Sequence, residues 1–200
     1  SPYFFNLRTP SNPKPGPLSN ELVHLAAESM AKLIETAVGQ PLSEFDFLVG
    51  LPNAGTPFAD ALSKILGIPT LELVKEIDGD RRWIDRITGS EEELENLKGK
   101  RALEIDDLIT GADTKLEGIG LLREAGMVVD HVVVLIDRSV DGHKRLEAAR
   151  VQLHSVFTAG QLFNLYLATD KISSELHARA HSYPEQMATY KRSKEDTAVE

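Results

Sequence analysis

Leu103-Glu104-Ile105-Asp106-Asp107-Leu108-Ile109-Thr110-Gly111-Ala112-Asp113-Thr114-Lys115 is the stretch that decides the fold. An apolar strand runs into two adjacent carboxylates, then a turn of small and hydroxyl-bearing residues, then a helix. Backbone N–H groups at a helix start, together with the Thr110 and Thr114 hydroxyls, can cradle a dianionic phosphate. Carboxylates one strand-end earlier can accept hydrogen bonds from sugar hydroxyls and stabilise nearby positive charge. Paired aspartates at a buried strand end are costly without a partner, which argues against an ordinary strand–turn–helix with Asp caps.

Outward from that stretch, β-rich runs alternate with helical ones. The runs are Phe45–Leu51, Pro69–Val74, Arg101–Asp106, His131–Asp137 and Val151–Phe157. Between and after them lie helical stretches at Thr56–Leu66, Asp113–Ala125, Asp141–Arg150 and Gly160–Ala168, and a first one at Ser19–Val38. In Ser19–Val38 the residues Leu22, Ala26, Met30, Leu33 and Ala37 share one face, and Ser19 or Asn20 can cap it. Gly67 and Gly126 are stop residues. This order predicts an α/β fold, a central parallel sheet flanked by helices with right-handed crossovers. Val132–Ile136 is continuously apolar, as a strand buried on both faces should be. Ligands of such sheets bind beyond the carboxyl ends of the strands, so chemistry is expected after Phe45–Leu51, Arg101–Asp106 and His131–Asp137.

Length and composition set the outer bounds. The chain has 200 residues, which suits one domain over 1–200. Three parts of it fit the core poorly: a proline-rich arm over 1–18, a polar segment over 76–100 expected to be mobile, and a charged tail over 185–200. Lys and Arg number 22 against 31 Asp and Glu, a net charge of −9. That sign opposes general nucleic-acid binding and docking on anionic lipid. No apolar run is long enough to span a membrane. Cysteine is absent, which removes disulfides, thiol nucleophiles and thiolate metal sites, and a reducing cytoplasm is the expected compartment. The chain starts at Ser1 without methionine, and an upstream segment is expected. His177 and His181 are spaced as a surface pair on one helix face, and His131 is expected to be structural. Trp83 lies in the polar segment as a lid or dimer contact, and Glu91-Glu92-Glu93 reads as an acidic first helical turn.

The 103–115 stretch resembles the phosphoribosyl-pyrophosphate signature of the type I phosphoribosyltransferases. Three further segments resemble the orotate phosphoribosyltransferases in particular, in the same order. They are the arm Ser1-Pro2-Tyr3-Phe4-Phe5-Asn6, the loop Val49-Gly50-Leu51-Pro52-Asn53-Ala54-Gly55-Thr56-Pro57, and Leu135-Ile136-Asp137-Arg138 followed by Gly142. The resemblance implies a small N-terminal hood over the parallel sheet. It also implies transfer of the phosphoribosyl group of phosphoribosyl pyrophosphate to orotate, in pyrimidine nucleotide biosynthesis. Asp106 and Asp107 would meet the ribose 2′- and 3′-hydroxyls. Thr110, Gly111, Ala112, Asp113 and Thr114 would hold the 5′-phosphate, and Asn53, Ala54 and Gly55 would face the pyrophosphate. Phe4 or Phe5 would stack on the orotate ring, Arg138 would pair with its carboxylate, and Thr110 would also lie near the base. Mg2+ would be held mainly by pyrophosphate and ribose oxygens, with no protein metal ligand. The resemblance further implies a homodimer whose loop completes the partner's site.

The chain departs from the family at two places. Where the family's loop carries Arg-Lys, a second Lys and His, this sequence has Val74-Lys75-Glu76-Ile77-Asp78-Gly79-Asp80. Lys75 is kept, Val74 replaces the Arg, Asp78 stands at the second Lys, and Arg81 and Arg82 lie just beyond. Asp113 puts a negative charge in the phosphate loop. Two readings stand beside the main one: a phosphoribosyltransferase for another base, and a non-catalytic nucleotide-binding regulator with the same fold.

Overall fold

A computed structural model describes residues 3–11, 15–39, 41–79 and 81–182. Ser1, Pro2 and the expected tail over 185–200 lie outside them. In chain order the elements are α1 (Asn20–Ala37), β1 (Phe47–Gly50), α2 (Thr56–Leu66), β2 (Leu73–Asp78), β3 (Arg81–Ile87), α3 (Glu91–Glu95), β4 (Arg101–Ile109), α4 (Asp113–Glu124), β5 (Val128–Asp137), α5 (Gly142–Ala148), β6 (Gln152–Thr158) and α6 (Ala159–Ala168). Ser19, not Asn20, caps α1, its hydroxyl accepting from the Leu22 N–H.

Four strands form a parallel sheet in the order β1-β4-β5-β6. Successive side chains of a strand point to opposite faces, and β5 uses both. Val133 and Leu135 join the apolar layer beneath α1 and α2, with Leu103 and Ile105 of β4. Val132 and Val134 face the layer made with Ile119 and Leu122 of α4. Both layers are fully dry, which is why a continuous run of valines serves where an alternating pattern would not. Among the described residues no helix is long and apolar enough to cross a membrane.

Two expectations are corrected. Pro69–Val74 does not form a strand of the main sheet. Only Thr70 bridges Leu48, and the strand proper starts at Leu73 and turns away. Pro69 has no N–H to give to a ladder, and Leu73 instead pairs with Ile87 of β3. The segment over 76–100 is not too polar to pack on its own domain. β2 and β3 form an antiparallel hairpin whose Leu73, Ile84 and Ile87 are buried in the α4-side core with Leu97. Charged neighbours hide these buried residues, and in β3 Ile84 and Ile87 lie three apart instead of alternating. The signal for the hairpin is Asp78-Gly79 between two such runs, with Gly79 at φ 59 as a tight turn requires. The acidic turn at Glu91 does begin a helix, α3, closed by a capping box from Ser90 and Glu93.

Candidate active site

Parallel pairing puts the carboxyl ends of β1 and β4 side by side. Gly50 is in register with Ile105, and the Leu51 N–H donates to the Ile105 carbonyl at 2.9 Å. The loop after β1 therefore lies against the Asp106-Asp107 pair. Its Gly55 N–H folds back to the Leu51 carbonyl at 2.8 Å, and its Pro52–Asn53 peptide is cis. Asn53, Ala54, Asp106, Asp107 and Thr114 line one cleft of about 280 Å³.

Cations enter this cleft from three elements. A bulge at Val74/Lys75 re-aims Lys75, whose Nζ donates to the Pro52 carbonyl at 3.3 Å. Arg82 lines the cleft from β3, whereas Arg81 stacks its guanidinium over Trp83 at 5.0 Å. Of the two arginines, then, only Arg82 is brought to the carboxylates. The third cation is Arg8, from the arm. The Leu18 N–H donates to the Arg8 carbonyl at 3.0 Å and the Gly16 N–H to Thr9 at 3.2 Å, so the arm folds back and presents Arg8 to the cleft. No sequence signal marks Arg8, because its position depends on that fold-back.

The two aspartates differ in environment. Asp106 is buried and forms an ion pair with Lys115 of α4. Its Oδ1 also accepts the Asp107 N–H at 2.9 Å. Asp107 accepts the Leu108 N–H at 2.7 Å and lines the cleft. Burial, and then the Asp106 charge, push Asp107 up to about 7. Glu104, two residues before Asp106 and on the same face of β4, is wholly buried, and burial raises it well above the usual carboxylate range.

The phosphate loop runs from β4 into α4. Ala112 takes a left-handed conformation with φ 67, and Asp113 is the first helical residue. The negative charge of Asp113 is matched by Arg145 of α5, whose Nη2 lies 2.7 Å from its carboxylate. Arg145 also donates to the Gly111 carbonyl. Arg145 is thus a second residue of the site that the sequence does not mark. Thr110 is exposed at the loop's outer side.

At the end of β5, Arg138 has a buried Nε with no hydrogen-bond partner, and its guanidinium lies 5.2 Å from the Tyr3 ring. Asp137 holds the following turn, accepting the Ser139 N–H at 2.8 Å and its hydroxyl at 2.7 Å. Phe5 packs against Phe163, with ring centroids 5.7 Å apart, and belongs to the core. Phe4 is 66% exposed and meets the Arg8 guanidinium at 5.4 Å. Of the arm's aromatics it is Tyr3 that reaches Arg138. Elsewhere, His177 and His181 share the Asn164 side-chain oxygen on the surface, and His131 is buried against His154.

Paired carboxylates, a helix-start loop and a cation-lined cleft lie together at the carboxyl end of a parallel sheet, where α/β proteins of this class bind their ligands. The phosphoribosyl transferase domain model matches residues 19–163, and the chain belongs to that family. It is 33% identical over 144 residues to an orotate phosphoribosyltransferase of Rhizobium etli, covering 68% of this chain and 58% of the relative. It is 30% identical over 141 residues to one of Methanocorpusculum labreanum, covering 64% of this chain and 79% of the relative. Among solved structures, the UMP synthase of Leishmania donovani superposes with a TM-score of 0.69 at 27% identity, over 92% of this chain and 39% of the other. The chain thus spans little more than half of the Rhizobium relative and well under half of the Leishmania protein.

Proposed function

We propose that the protein is an orotate phosphoribosyltransferase, converting orotate and phosphoribosyl pyrophosphate to orotidine 5′-monophosphate and pyrophosphate. The observation that carries this reading is the facing of Asp106 and Asp107 by Lys75, Arg82 and Arg8 across one cleft. The relatives named above support the choice of base, as does the unpartnered Arg138 Nε. In the reaction the anomeric C–O bond to pyrophosphate breaks as a C–N bond to the base forms. The carboxylates favour positive charge on the sugar, and the cations favour the departing anion. The loops at the ends of β1, β4 and β5 hold the partners in line. No protein nucleophile takes part.

Mg2+ belongs to the proposal as a companion of the ligand. Asp106 is engaged by Lys115, and among the described residues no group of three or more His, Asp or Glu side chains is arranged to hold a metal ion. A cation that keeps its water and binds mainly through phosphate and sugar oxygens fits such a donor set. When bound it would neutralise the pyrophosphate.

A homodimer is also proposed, with one change from what the family resemblance implies. The hairpin carrying Lys75 and Arg82 packs on α4 of its own chain, and only residues 79 and 80 join its strands. Lys75 and Arg82 line their own chain's cleft, so in the proposed dimer each cleft uses its own cations.

Turnover of orotate with phosphoribosyl pyrophosphate and Mg2+ tests the main reading, with product formation expected. Binding of phosphoribosyl pyrophosphate without turnover would overturn it in favour of a non-catalytic regulator, a reading that Val74 and Asp78 favour. Turnover with another base alone would overturn the choice of orotate.

A further inference from the structure

Lys115 is 5% exposed, on the inward side of the first turn of α4. A lysine that deep must be paired. Its Nζ meets the Asp106 carboxylate, and it donates to the Leu108 carbonyl at 2.7 Å. It thereby ties both sides of Asp107 from beneath, on residues 106 and 108. Under it lies Glu104, with neither carboxyl oxygen hydrogen-bonded. α4 leaves room for that acid at Gly118, where a Cβ would come within 2.9 Å of Glu104 Oε2 and 2.8 Å of the Leu51 side chain. A cation and an extra acid are thus built under the strand end, and neither reaches the cleft.

We propose that Lys115 is a positioning residue that ties down the Asp106 carboxylate and fixes the end of β4, so that Asp107 is held facing the ligand. The proposal rests on the transferase reading, since it divides the roles of two residues at the ribose. The physical reason is that two adjacent buried carboxylates repel, and one of them takes up a proton unless a cation compensates the other. Lys115 supplies that cation to Asp106. The titratable and charged groups around Asp107 are Asp106 and Glu104 on β4, Lys115 on α4, Lys75 and Arg82 on the hairpin, and Arg8 on the arm. Lys115 is the only one of these cations that makes an ion pair with the aspartates.

Carboxyl 13C NMR on the unliganded wild-type chain tests this without reference to turnover. Asp107 should titrate between about pH 5 and about pH 8. In Lys115→Met the Asp107 midpoint should rise by about one pH unit or more, because the Lys115 charge favours the ionised form. In turnover, Lys115→Met should lower kcat near neutrality and recover as pH is raised, with the KM for orotate little changed. A lysine that only packs would lower kcat equally at every pH. An Asp107 midpoint near the free carboxylate value of about 3.9 in the wild type would overturn the proposal, as would a folded Lys115→Met with an unmoved Asp107 midpoint. If Lys115→Met does not fold, the wild-type titration decides alone. A wild-type chain without turnover would remove the orotate reading and leave the titration result standing.

Discussion

Arg138 carries a donor that is buried and unmet. A buried guanidinium N–H without a partner in the protein is a donor that a ligand or a water can meet. A planar carboxylate on a base matches the guanidinium fork. Replacing Arg138 with Ala should weaken orotate binding by roughly 1.5–3 kcal/mol and leave phosphoribosyl pyrophosphate binding nearly intact. Calorimetry with each ligand separates the two, and equal weakening would mean that Arg138 supports the fold. Asp107 sets the pH response. Its folded value of about 7 lies above the unfolded carboxylate value of about 3.9. The native state therefore holds more protons than the unfolded chain between those limits, and this group's contribution to stability is present at low pH and lost as pH rises through the folded value. The ionised form is the one that accepts sugar hydroxyls. Activity should thus fall on the acid side of about pH 7, while the unliganded protein loses stability as pH climbs toward it. Asp107→Asn should flatten that part of the stability profile in thermal melts taken across pH.

At the scale of the element, the phosphate loop depends on its neighbour α5. Two like charges about 5 Å apart repel by roughly 3 kcal/mol at an effective dielectric near 20, so an unmatched Asp113 would oppose a phosphate in its own loop. Arg145 cancels that charge and anchors the Gly111 carbonyl. The pair is largely exposed, so Arg145→Ala should change stability by no more than about 1 kcal/mol. Its effect should fall on binding. Inorganic phosphate and phosphoribosyl pyrophosphate should bind more weakly to Arg145→Ala, and a second change, Asp113→Asn, should recover most of the loss. Amide shifts at residues 110–114 on phosphate titration are the readout. Recovery failing in the double variant would mean that Arg145 touches the phosphate itself.

At the scale of the whole molecule, the hairpin decides where the cations work. β2 and β3 pack on α4 through Ile84 and Ile87, which ties Lys75 and Arg82 to the same chain's Asp107. A mixture of Asp107→Asn and Lys75→Ala chains should therefore regain no activity on subunit exchange, although light scattering should report a dimer. Recovery well above either parent would place Lys75 in the partner's site.

Much of this was settled by sequence alone. Strand–helix alternation, the continuous apolar run at Val132–Ile136 and the carboxylates at Asp106 and Asp107 fix a parallel α/β sheet and the end where its site lies. They can do so because period, burial and strand-end chemistry are local properties. What only the tertiary structure decided involves groups brought together from distant parts of the chain. Arg8 reaches the cleft through a folded arm, and Arg145 finds Asp113 across two loops. Lys115, the last residue of the deciding stretch, sits at a helical position that sequence would leave to solvent. The apolar rows of the hairpin are masked by their charged neighbours. Tyr3 rather than Phe4 or Phe5 meets Arg138, because Phe5 is drawn into the core against Phe163. In each case a charge or ring is placed by packing between elements, and the residue's own neighbours in sequence carry no record of that packing.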